Sequence, residues 1–149
     1  MACAAGGQLA AAVSGAGGLG MIGGAYDDGD WIAEQQDLAG NQSVGCGFIT
    51  WKLREHPQAL EQVLARDPAA DSLSFGDPAD FVPAPRAAGL PSLCQVQTLR
   101  DAAHATDLGA AISRAPGSGP AGPMQQPATT PHASGRRDHP ARRAPDGPR

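Results

Sequence analysis

Between Gln8 and Ile112, segments that read as helices alternate with short apolar segments that read as strands, and the connections are brief. Such alternation predicts an α/β fold, a parallel sheet covered by helices, because each helix carries the chain back to start the next parallel strand. Gln8 to Val13 is an alanine-rich helix, and Leu19-Gly20-Met21-Ile22 is an apolar run too short for another. After the turn Asp27-Asp28-Gly29-Asp30, Asp30 is placed to cap a helix from Trp31 to Ala39, with Gly40 just past its end. Val44 to Thr50 reads as a strand. Pro57 stands at a first helical position before Leu60, Val63 and Leu64, which share one helix face. Ser72 to Phe75 is a strand ending at Gly76-Asp77-Pro78, and a helix is expected over Ala79 to Ala88, broken or kinked by Pro83 and Pro85. Leu93 to Val96 is a strand, Leu99 to Leu108 a helix, and Gly109-Ala110-Ala111-Ile112 leads into a further strand. Periodicity alone leaves barrel and open sheet both open.

Within this pattern, Gly15-Ala16-Gly17-Gly18-Leu19-Gly20 spells G-x-G-x-x-G, the pattern that cradles a dinucleotide pyrophosphate. That chemistry needs a strand running into the glycines and a helix running out, so that backbone N–H groups at a helix N-terminus meet the phosphate. Here the helix comes first and the strand follows. The glycines therefore read as a helix C-cap and a turn into a strand, where left-handed conformations cost glycine least. A nucleotide-binding domain would need a strand before Gly15.

At Ser113 the alternation stops. From there to Arg149 there is no Val, Leu, Ile, Phe, Trp or Tyr, and 8 of the 37 residues are proline. Such a segment buries too little surface to offset its ordering entropy, which predicts a disordered Pro/Gly/Arg-rich tail over 113–149 behind a folded part over 1–112. Charge divides at the same point: residues 1–112 carry 5 Lys/Arg against 13 Asp/Glu, a net −8, whereas 113–149 carry 6 Arg against 2 Asp, a net +4. The overall charge of −4 argues against nucleic acid or an acidic membrane as the partner of the whole chain. Cys3, Cys46 and Cys94 are odd in number and widely spaced, so neither a disulfide framework nor a metal knuckle is expected, and Cys46 and Cys94 read as small buried thiols. No metal site is expected. No basic leader or membrane-length apolar run occurs, which makes a reducing cytoplasm the default location.

In this order, "GGQLAAAVSGAGGLGMIGG", "VGCGFITW", "LSFGDPADF" and "LCQVQTLRDA" resemble successive pieces of the nitronate monooxygenase family, the former 2-nitropropane dioxygenases, over residues 1 to about 112. That resemblance implies an FMN-dependent TIM-barrel flavoprotein, a monooxygenase, of which this chain holds a partial (β/α) barrel, roughly strands 2 to 6 with their helices. It also implies the cofactor-binding positions. Met1 and Ala2 match the end of the first strand's flavin-side segment, with Cys3 where the family has glycine. Gly47 and Phe48 end the third strand, Ser74 and Phe75 the fourth, and Gln95 and Gln97 the fifth. Strand ends build the site in such barrels. The plain alternatives are core packing for Phe48 and Phe75, and strand-end hydrogen bonding for the glutamines.

The resemblance further implies a substrate class: a small-molecule alkyl nitronate or related carbon acid, oxidised with O2 to a carbonyl compound and nitrite. Related flavin barrels include enoyl reductases. The family's sixth strand runs into a Gly-Gly-His segment whose histidine is the catalytic base, and no such segment occurs in these 149 residues. His56, His104, His132 and His139 lie outside any such context, so no catalytic residue is assigned. A truncated, inactive copy is the expectation, with the first strand upstream of Met1 and residues 113–149 read out of frame. The alternative is a non-enzymatic α/β remnant or partner-binding module.

Overall fold

The computed structural model describes residues 4–24 and 29–114. Along the chain come α1 (Gly7–Gly15), β1 (Met21–Gly23), α2 (Gly29–Ala39), β2 (Gly45–Ile49), α3 (Thr50–Leu53), α4 (Gln58–Leu64), β3 (Asp71–Ser74), α5 (Pro83–Ala87), β4 (Ser92–Gln95), α6 (Leu99–Leu108) and β5 (Ile112–Arg114). The strands form one sheet in sequence order, β1-β2-β3-β4-β5, and every neighbouring pair is parallel. This is the alternation expected from the sequence.

Sheet register sorts the side chains into two faces. Ile22, Cys46, Phe48, Leu73, Cys94 and Val96 are buried and form one core with Ala10, Ile32, Ala39, Leu60, Val63 and Ala105 from the helices. The alternate positions Gly47, Ile49, Ser72, Ser74, Leu93 and Gln95 are half-buried on the other face. Short strands thus carry a heavily apolar helix side and a face on which small and polar residues (Gly47, Ser72, Ser74, Gln95) are interspersed with Ile49 and Leu93. Both thiols read as buried, Cys46 and Cys94, lie in the core.

The glycine stretch has the order read from the sequence: α1 precedes it and β1 follows. Ala16 N–H returns to Ala12 O at 3.1 Å, Gly17 takes a left-handed φ of +86°, and Gly20 enters the strand. Gly20 packs so closely that a Cβ there would lie 1.8 Å from Ala10 O. Close helix-to-strand approach is what this glycine provides. At the other edge of β1, Gly23 N–H donates to Ala5 O at 2.8 Å, so the residues just before α1 run alongside that strand.

α6 occupies its expected bounds. Thr98 and Asp101 form a reciprocal capping box, and Gly109 closes the C-terminus at φ +92°. Elsewhere the structure revises the reading. The prolines expected to break a helix over Ala79 to Ala88 begin it instead, with Pro83 in the first turn, where a missing N–H leaves no bond unmade. Phe75 is not in β3, because its φ of +61° ends the strand at Ser74. A short helix, α3, intervenes between Thr50 and Pro57, and Thr50 belongs to it rather than to the strand. β5 extends to Arg114, two residues past the expected boundary at Ile112; the rest of the tail lies outside the described residues. No helix among the described residues is long and apolar enough to cross a membrane.

Candidate functional site

The C-terminal ends of parallel strands are where an α/β sheet exposes its loops and its unpaired main-chain groups, and where barrels of this type build their sites. Here that end is formed by Gly23 and Gly24 after β1, Ile49 and Thr50 after β2, Ser74 to Asp77 after β3, and Gln95 to Thr98 after β4. Gly47 pairs with Gly23 on one side and Ser72 on the other, and Ile49 pairs with Ser74 one layer nearer the loops. Apart from Ile49, these are small residues on the face opposite the core. Among the described residues, the nearest atoms to a Cβ built on Gly47 would be Ile22 O at 3.7 Å and Ser72 Cβ and O at 3.9 Å, all of the sheet itself. At the opposite end of this face Met21 lies across Gly45, where an added Cβ would fall 2.4 Å from its sulfur, so the shallow strip opens toward the loops.

Of the residues expected to line a cofactor, Gly47, Ser74 and Gln95 share the open face and are half-buried. Phe48 does not join them. Adjacent strand residues point to opposite faces, and Phe48, 2% exposed, is in the core beneath the sheet. Phe75 is half-buried at the end of β3 in its left-handed conformation. Gln97 is exposed in the β4–α6 loop, where its N–H donates to Asp101 Oδ2 at 3.3 Å. Met1 and Ala2 lie outside the described residues.

Three residues at this end carried no distinct signal in the sequence. Thr50 is fully buried, and its hydroxyl has no hydrogen-bond partner among the described residues. Asp77, read only as turn punctuation, ties the β3–α5 loop down: its Oδ1 accepts from Ala79 N–H at 3.0 Å and lies 2.9 Å from His104 Nε2, while its carbonyl accepts from Arg54 Nη2 at 3.2 Å. The hydrogen bond from His104, then that from Ala79, holds the Asp77 carboxyl below the ordinary aspartate range. Arg54 also pairs with Asp80 at 3.4 Å. His104, read as a helix residue outside any catalytic context, is half-way along α6 and faces this loop. Apolar side chains are exposed nearby in sequence: Trp51, which follows Thr50, and Leu99 at the start of α6. No group of three or more His, Cys, Asp or Glu able to hold a metal occurs among the described residues.

In sequence, no family model and no curated protein matches the chain. In structure, it is similar to FabK from Thermotoga maritima, with a TM-score of 0.67 and 24% identity over 76% of this chain and 37% of that one. A mutant form of the same FabK matches with a TM-score of 0.64 and 24% identity, over 76% of this chain and 39% of its own. The chain therefore spans less than two-fifths of the length of these structures. At this identity the likeness establishes the fold, a partial TIM barrel.

Proposed function

We propose that the open face at the strand ends is a flavin site, and that the chain is a part of an FMN-dependent oxidoreductase acting on nitronates or closely related carbon acids. The observation that carries this reading is the missing side chain at half-buried Gly47, which pairs with Gly23 on one side and Ser72 on the other. A planar ring needs a flat surface without bulk, and a Cβ at Gly47 would meet no atom of the described residues closer than 3.7 Å. The shared fold with FabK, a flavin-dependent TIM-barrel enzyme, supports the same reading, as do the four segments resembling nitronate monooxygenases.

When bound, the flavin supplies the electron acceptor. The chain's own residues supply the platform. Gly47 and Ser72 leave room for the ring, the side chains of Ser74 and Gln95 bring hydrogen-bonding groups to its rim, and Leu93 adds an apolar neighbour on the same face. A nitronate is already the deprotonated form of its carbon acid. Its oxidation therefore needs no base, whereas a neutral carbon acid would, and His104 on the rim is engaged with Asp77. A second reading, a non-enzymatic module that binds a partner, rests on exposed Trp51 and Leu99, since apolar side chains of this size on a surface mark contact sites when they cluster.

Titration of the purified 149-residue chain with FMN, followed by flavin fluorescence, separates the two. The flavin reading expects saturable binding that Gly47→Val weakens by roughly tenfold or more, about 1.4 kcal/mol per decade, with an unchanged circular dichroism spectrum. An FMN affinity indifferent to Gly47→Val, or no binding by the parent chain, sinks it.

A further inference from the structure

The loop after β3 contains a backbone arrangement that the flavin reading does not explain. Phe75 has φ +61° and Gly76 φ +155°, two successive residues on the positive side immediately after a regular strand. For glycine this is ordinary, but for a bulky aromatic residue the left-handed region is unfavourable and persists only where the surroundings over-determine it.

Those surroundings are identifiable. Upstream, Leu73 is locked in register between Phe48 and Cys94, and Ser74 pairs with Ile49, so the chain cannot slide back into β3. At Gly76, a Cβ would lie 3.1 Å from Thr50 Cβ and 3.3 Å from Trp51 N, so the loop is already pressed against the start of α3. Downstream stands Asp77, held from three places: Arg54, just past α3, at its carbonyl, His104 of α6 at its carboxylate, and Ala79 of its own loop at the same oxygen. Asp80, paired with Arg54, is the remaining charged group bearing on this cluster. With β3 anchored on one side and Asp77 on the other, the two intervening residues must make the whole change of direction.

We propose that Asp77 is a positioning residue: through Arg54, His104 and Ala79 it clamps the loop and so holds Phe75 in the left-handed conformation at the strand-end mouth. Had the strand continued, residue 75 would have faced the helix side with Leu73. The clamp takes it out of that alternation and leaves an aromatic residue at the end of β3, beside Ser74. The functional meaning rests on the flavin reading, in which Phe75 borders the ring, but the clamp itself is a property of the protein alone.

The test uses residue 75 as a reporter of its own backbone. Glycine tolerates a left-handed position and alanine does not, whereas in ordinary conformations alanine is the more stable. Urea unfolding of the full chain is measured for Phe75→Gly and Phe75→Ala, each with and without Asp77→Ala. With Asp77 present, the unfolding equilibrium constant of the alanine variant should exceed that of the glycine variant by about tenfold. In the Asp77→Ala background that ratio should fall to about one or invert. Asp77→Asn, which keeps the accepting oxygen, should preserve the ratio, and His104→Ala, which removes only the tether from α6, should lower it. A ratio near one in the presence of Asp77, or one that neither Asp77→Ala nor His104→Ala moves, overturns the proposal. Parallel FMN titration should show weaker binding for Asp77→Ala. A parent chain that fails to bind FMN overturns the flavin reading, and the stability ratio still decides the clamp.

Discussion

Ser92 Oγ donates to Asp71 Oδ1 across 2.6 Å, a side-chain hydrogen bond between neighbouring strands β4 and β3 in a region closed to solvent. The other carboxylate oxygen, Oδ2, is buried with no partner among the described residues. One hydrogen bond does not replace the hydration of a full charge. Loss of solvent raises the Asp71 carboxyl to about 6, against the lowering effect of Ser92.

The consequence for stability has a definite sign. The folded state holds the Asp71 proton more tightly than the unfolded state, so this group's contribution is fully present below about pH 4 and is lost as pH rises through about 6. By pH 7 the loss is about 3 kcal/mol. Asp71→Asn should abolish this segment of the pH dependence. The difference in urea midpoint between the parent and Asp71→Asn, compared at pH 4.5 and 7.5, should shift in favour of the variant at the higher pH. A difference independent of pH would refute the assignment.

The same carboxylate affects a thiol. Burial, then the negative charge of Asp71, pushes Cys94 up to about 11. In the folded protein at pH 8, Cys94 should alkylate orders of magnitude more slowly than in urea. Site-resolved mass spectrometry after iodoacetamide treatment reads this directly, and rapid native labelling of Cys94 would contradict it.

The α6 cap has a local and testable value. Thr98 accepts from Asp101 N–H at 3.1 Å, and the Asp101 side chain accepts from Thr98 N–H at 3.0 Å. Thr98→Ala should cost about 1 kcal/mol in chemical denaturation. Asp101→Ala should cost a similar amount, and the double variant less than the sum, because both remove one reciprocal motif.

Two glycines of the G-x-G-x-x-G stretch should respond differently to alanine. Gly17 has open space around it and only the conformational demand of φ +86°, so Gly17→Ala should cost about 1 kcal/mol. At Gly20 the new methyl would meet the Ala10 carbonyl, and Gly20→Ala should cost on the order of 3 kcal/mol. Thermal melts measure both. Equal, small effects would mean that α1 does not approach β1 this closely.

Much of the architecture is legible in local chemistry. Thr98, Asp101 and Gly109 mark both ends of α6, and the helix-then-glycine-then-strand order around Gly15 to Gly20 rules out a phosphate loop, all within a few residues of chain. Gly47, Ser74 and Gln95 come as cofactor positions from the resemblance to nitronate monooxygenases, and the sheet register sets the three on one face. The same resemblance implies Phe48 beside Gly47, yet the two stand on opposite faces of β2, a separation that the period of two imposes.

What the sequence by itself determined is the succession of elements, their parallel pairing and the helix-side core, since hydrophobic periodicity and capping act over short distances along the chain. What only the tertiary structure decided is how distant segments bear on one another. Arg54 and His104, 50 residues apart, meet at Asp77. Asp71 meets Ser92, and Phe75 leaves its strand. None of these is encoded in a local propensity, because each depends on which residues the sheet register and the helix packing bring within hydrogen-bonding distance.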